Sequence, residues 1–169
     1  MREARAAPEE AFWRFSLYFY ELPAGAQALL ALQDRDGLDI NLILFALWFG
    51  ISGRGRLDSD ALTAAERAMG KLRSLIVEPL RSLRRKLKEH PDSDVQRLRE
   101  GIKALELEGE KLVQTRLGRF AGPALGEISA EDRRAAAVAN LTLCLGPEKA
   151  ASTEAALLRG AIEQLPPRR

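Results

Sequence analysis

A chain of 169 residues with 26 basic and 24 acidic side chains is long enough for one domain that buries roughly 70% of its unfolded surface. Apolar residues make up 46% and charged residues 30%, which excludes a disordered chain, and a net charge of +2 supplies no general attraction to nucleic acid or to a membrane surface. The single cysteine, Cys144, excludes an intramolecular disulfide.

The first ten residues carry acids and no apolar run, which argues against a secretory signal. The apolar stretch Ile40–Phe49 is far shorter than the roughly 17 residues a membrane span needs. A soluble, cytoplasmic protein without a membrane span is expected. No segment alternates with period two, β-branched residues are few, and Ala, Leu, Arg and Glu abound. The fold class is therefore all-α, a compact domain of six or seven helices covering 1–169.

A first helix is expected from Pro8, with Glu9 and Glu10 in its first turn, to Glu21 before Pro23. Phe12, Phe15, Phe19 and Leu22 share one face; Trp13, Leu17 and Tyr20 form a second stripe, so this helix lies between layers or offers one face to a partner. A second helix runs from Ala24 to Gln33, closed at Gly37 by a left-handed cap. Asp39 then caps a central helix over 39–49, apolar on every side and so buried on every side.

Gly50, Gly53 and Gly55 break the chain. From Ser59 a long helix carries Leu62, Ala65, Met69, Leu72, Ile76, Leu80, Leu83 and Leu87, kinked at Pro79. After His90-Pro91 another carries Val95, Leu98, Ile102, Leu105, Gly109 and Leu112 at 3-4 spacing. The two form an antiparallel hairpin over 60–118, with those residues as its seam. Ser129 opens a helix that Gly146-Pro147 ends, and a last helix follows from Ser152 to Gln164 with Ala156, Leu157 and Ala161 inward, giving C-terminal helices over 129–164. Residues 165–169 read as a loose tail.

Nine of the ten aromatic residues precede position 50. The segment 12–56 therefore holds any aromatic-lined pocket or interface, with Trp13, Phe15, Phe19, Phe45 and Trp48 as candidates. Within it, Phe12-Trp13-Arg14-Phe15-Ser16, Leu32-Gln33-Asp34 and Gly37-Leu38-Asp39-Ile40-Asn41-Leu42, continuing to Leu44-Phe45, resemble a family of small bacterial proteins known only as a domain of unknown function. Ile40 and Ile43 stand where that family's pattern has Val and Leu, both packing changes. The resemblance implies no activity, cofactor or partner.

The polar residues of that segment, Gln33, Asp34, Asp39 and Asn41, form a candidate site. A calcium loop aligned with Gly37 at its sixth position would have Leu32 first and Ile43 twelfth, neither able to ligate. Helix capping by Asp34, Asp39 and Asn41 is the simpler expectation. Any of Arg14, Arg35, Arg54 and Arg56 is placed to pair with Asp34 or Asp39 beside the aromatic residues. Cys144 and the only histidine, His90, supply two ligands at most, short of a zinc site, and the Gly50–Gly55 spacing lacks the strand and lysine of a phosphate loop. No metal or cofactor is expected, and Cys144 reads as a small core residue.

Arg81, Arg84, Arg85 and Lys88 recur at helical spacing as a candidate basic patch, with Glu100, Glu106, Glu108 and Glu110 available to neutralise part of it. A solvated face is the simpler reading and a nucleic-acid contact the sharper one. The leading expectation is a non-enzymatic interaction or adaptor protein, self-associating or with a protein partner. The alternatives are a small-molecule binder or enzyme with an aromatic pocket and an Asp/Asn mouth, and a nucleic-acid binder through residues 81–88.

Overall fold

The computed structural model describes residues 7–165. Their order is α1 (Pro8–Glu21), α2 (Pro23–Asp36), α3 (Ile40–Phe49), α4 (Ser59–Leu72), α5 (Glu78–Lys86), α6 (Ser93–Phe120), α7 (Ala130–Ala150) and α8 (Thr153–Glu163), with no strand among the described residues. The loose tail expected over 165–169 lies outside them except for Leu165, which is buried.

Prolines set the first two starts, Pro8 and Pro23 each standing in a first turn where a missing N–H costs nothing. At the end of α2 the chain reverses through Gly37 at φ 66°. The Gly37 N–H closes onto the Gln33 carbonyl at 3.1 Å. Asp39 then caps α3, its carboxylate accepting from the backbone N–H groups of Asn41 at 2.7 Å and Leu42 at 3.2 Å. Every residue of α3 is buried except Leu42 and Phe49, which are half-buried. The all-round apolar sequence thus sits at the centre, packed against α7 and touching α1, α2, α4 and α6.

Gly50 permits the closest of these contacts. A Cβ there would lie 2.2 Å from the Ala137 nitrogen, so the α7 backbone lies directly on the end of α3. Asn140 secures the same junction from full burial. Its amide donates to the carbonyls of Ala46 and Gly55, and its oxygen accepts from the Leu57 N–H at 2.7 Å.

The hairpin forms, α4 and α5 both packing on α6. Its bend differs from the expected proline kink. Residues Arg73–Val77 form a π-helical turn, and Pro79 then stands in the first turn of α5. The wider turn absorbs the hydrogen bond that proline cannot make. The seam also differs: Ile102, Glu106, Gly109, Val113 and Leu117 are buried, whereas Leu98, Leu105 and Leu112 are exposed. Gly146, at φ 74°, interrupts α7 where the Gly-Pro pair predicts its end. In α8 the buried set is Ala155, Leu158, Ala161 and Ile162, one position from the expected Ala156 and Leu157.

Candidate functional site

The turn between α2 and α3 fixes the polar motif. Asp39 uses one carboxylate oxygen for the cap and places the other 3.0 Å from Arg73 Nε, which also lies 3.0 Å from Glu78. Asn41 faces inward and accepts from the Gln114 amide at 2.8 Å. Asp34 stays in solvent and accepts from Arg85 at 2.7 Å. Gln33 is half-buried, and its amide makes no side-chain hydrogen bond among the described residues. The expected partners of these acids therefore change. Arg35 bonds Asp36 and Glu154, Arg14 bonds Glu10, and Arg54 donates to Gly122 and Ser52 while its guanidinium stacks 4.2 Å from the Trp48 ring.

The five aromatic candidates do not surround an opening. Phe19, Phe45 and Trp48 are completely buried. Trp48 stacks on Phe12 with centroids 5.0 Å apart, and Phe45 meets Phe12 edge-on at 5.8 Å. Phe15 packs on Phe19 at 5.6 Å. Trp13 is separate, half-buried on the outer face of α1 with Lys111 5.8 Å from its ring. Apart from Trp13 these residues are closed core, and Phe45 is its hub, with Phe12, Trp48, Phe49 and Phe120 around it.

The basic run is not a uniformly solvated face. Arg81 and Arg84 turn toward α6 and share Glu106, with Arg81 Nε at 2.9 Å; Arg81 also bonds Glu110. Arg85 spans to Asp34 on α2, and Lys88 lies 3.8 Å from Glu89 in solvent. Burial works to raise the Glu106 carboxyl, but the two guanidiniums overcome it and hold this group below the usual carboxylate range. Glu110 goes the other way: burial raises it, Arg81 opposes, and Glu106 and Asp39 add to the rise. Burial also raises the Tyr20 phenol beside Glu110. The Cys144 thiol is pushed up to about 12 chiefly by burial, with the charges of Asp39 and Glu66 adding to the rise.

The motif and the basic run thus meet, and they enclose two adjoining clefts. One, of about 400 Å³, opens between the α2–α3 turn and α5, with Asp39, Arg73, Glu78, Ser82, Arg85 and Lys86 on its walls. The other, of about 440 Å³, is walled by Tyr20, Leu30, Ile40, Arg84, Glu106 and Leu107. Gln33 and Arg81 line both. Sequence reasoning singled out Gln33, Asp39, Arg81, Arg84 and Arg85, placed Tyr20 only on the second stripe of the first helix, and missed Arg73 and Leu107. Glu106 and Glu110 were expected only to neutralise surface charge. Their signal was Glu106 itself, which falls on the same helical face as Ile102, Gly109 and Val113.

No group of three or more His, Cys, Asp and Glu among the described residues is arranged to hold a metal ion, and no helix among them is long and apolar enough to cross a membrane. No curated protein and no solved structure matches the chain. A family model described as a protein of unknown function, DUF2390, matches residues 11–117, the span that contains the motif, both clefts and the buried charge cluster. The chain belongs to that DUF2390 family.

Proposed function

We propose that the protein is a non-enzymatic helical interaction protein that holds an acidic, apolar-anchored segment of a partner protein in the paired clefts. One observation carries this reading: an apolar wall of Tyr20, Leu30, Ile40 and Leu107 adjoins a cleft with four cations, Arg73, Arg81, Arg85 and Lys86. The two carboxylates in that cleft, Asp39 and Glu78, are both engaged by Arg73. Lys86 has no ion pair among the described residues, and Arg85 holds only the exposed Asp34. A surface pair of that kind contributes little and exchanges readily for a partner's carboxylate.

The apolar wall continues onto α1, where Tyr20 and Leu17 are exposed on the stripe that begins at Trp13. Leucine and aromatic anchors beside cations are the features that dock an amphipathic segment. A second reading, a small-molecule binder, draws on the volume of about 440 Å³, which lies in the range of ligand pockets. It places the pocket outside the Asp39 turn and away from the buried aromatic residues.

Selection from a random-peptide library separates these readings. The expected consensus combines acidic residues with a leucine or aromatic anchor, and its binding falls at least about tenfold for Leu107→Glu and for Arg85→Glu with Lys86→Glu. Selected peptides without acidic residues, or binding indifferent to both variants, would overturn the proposal.

A further inference from the structure

The second feature with no partner lies on α6, away from the clefts. Leu98, Leu105 and Leu112 stand one heptad apart and form a line along the helix, with relative exposures of 60%, 59% and 51%. At 1.5 Å per residue the line is about 21 Å long. Gly101 lies on the same side and adds no bulk, since nothing stands within 4 Å of where its Cβ would be. Single exposed leucines are ordinary, but a leucine at three successive heptads is the seam of a helix pair.

Two charges flank the line and specify its occupant. Asp94 stands toward the N-terminal end of α6 and Arg116 toward the C-terminal end, both exposed and both on the leucine side. Asp94 is tied only to Arg97, an exposed pair within the same helix, and Arg116 has no ion pair among the described residues. In an antiparallel pairing of two copies about a two-fold axis at Leu105, residues equally distant from Leu105 in sequence face each other. Leu98 then meets Leu112 of the second copy, Leu105 meets itself, and Asp94 meets Arg116, at both ends at once. A parallel pairing would set Asp94 against Asp94 and Arg116 against Arg116. A slip of one heptad from the antiparallel register loses leucine contacts and both charge pairs.

We infer that the protein forms an isologous homodimer through α6, antiparallel and centred on Leu105. Three leucines and their flanks cover less than the roughly 800 Å² per partner of a standard interface, so the dimer is weak and dissociates on dilution. The face is separate from the paired clefts, and neither proposal depends on the other.

Sedimentation equilibrium over a wide concentration range tests it, with circular dichroism to verify that each variant folds. The wild type is expected to dimerise with concentration. Leu105→Glu sets two carboxylates together on the axis and should weaken the dimer at least tenfold while leaving the melting curve unchanged, because Leu105 is largely solvated in the monomer. Asp94→Arg and Arg116→Asp should each weaken it several-fold, and the two together should restore it to within about threefold of wild type. A wild type that stays monomeric at millimolar concentration overturns the inference. So does a dimer that tolerates Leu105→Glu, or one that the single charge reversals leave unmoved.

Discussion

Replacing Glu106 by Gln removes one charge and keeps the shape, so it isolates what that charge does. Its carboxylate is 8% exposed and accepts from Arg81 and Arg84, themselves 19% and 25% exposed. Breaking a buried pair by removing one partner costs about 3–5 kcal/mol, because the remaining charge stays desolvated and unpaired. Here Arg81 keeps Glu110 and both guanidiniums reach some water, which places the expected loss near the lower end, about 3 kcal/mol. For a chain of this size that lowers the melting temperature by roughly 6–12 °C. The pH dependence has a definite sign. The folded-state carboxyl lies below its unfolded value of about 4.3, so its stabilisation is complete above that value and is lost as pH falls through the folded one. Urea titrations of wild type and Glu106→Gln should therefore differ by about 3 kcal/mol at pH 7, and the difference should shrink as pH falls below the unfolded value. A difference under 1 kcal/mol at pH 7, or one that grows in acid, would refute the assignment of Glu106 as the anion that holds α5 to α6.

Glu110→Gln should act oppositely in pH: its folded-state carboxyl is raised, so ionisation is resisted and the variant gains on wild type as pH rises through that value, read by the same titrations. Asp39→Ala removes the α3 cap and the Arg73 contact and should cost about 1–2 kcal/mol in urea unfolding, with Asp39→Asn recovering the cap share alone. Gly50→Ala drives a methyl into the Ala137 backbone, which cannot rotate away, and should cost about 3 kcal/mol or prevent soluble expression. Asn140→Leu strips partners from three backbone groups; with Ala46 retaining its bond from the Gly50 N–H, a loss of about 2–4 kcal/mol is expected in the denaturation midpoint.

Features set by neighbours in the chain were legible in the sequence. Pro8 and Pro23 open helices, Gly37 turns α2 back, Asp39 caps α3, and the unbroken apolarity of Ile40–Phe49 can only be buried. Features set by an element distant in sequence were not. Leu98, Ile102, Leu105 and Gly109 satisfy the same 3-4 spacing, yet α4 and α5 cover only the face of Ile102 and Gly109, because Glu106 turns that face toward Arg81 and Arg84. Phe45 and Trp48 read equally well as pocket or core until Phe12 fills the space between them. Nothing near Asn140 in the sequence signals that its amide will bridge Ala46, Gly55 and Leu57.

The meeting of Asp34 with Arg85 and of Asp39 with Arg73 has the same origin and a larger consequence. In the sequence the motif residues and the basic run are separate candidates, one a set of caps and the other a solvated face. The π-turn at Arg73–Val77 joins them: Arg73 at its start bonds the carboxylates of Asp39 and Glu78. A regular helix through the same five residues would rotate everything beyond it by roughly a quarter of a turn relative to α4. Arg81 and Arg84 would then leave α6, and Arg85 would leave Asp34. The turn therefore aligns one stretch of helix with two surfaces at once, the core beneath α4 and the charged clefts beneath α5. π-Turns of this kind occur often at functional sites, and here the turn supplies Arg73 to the wall of the cleft in which we place the partner's acidic groups.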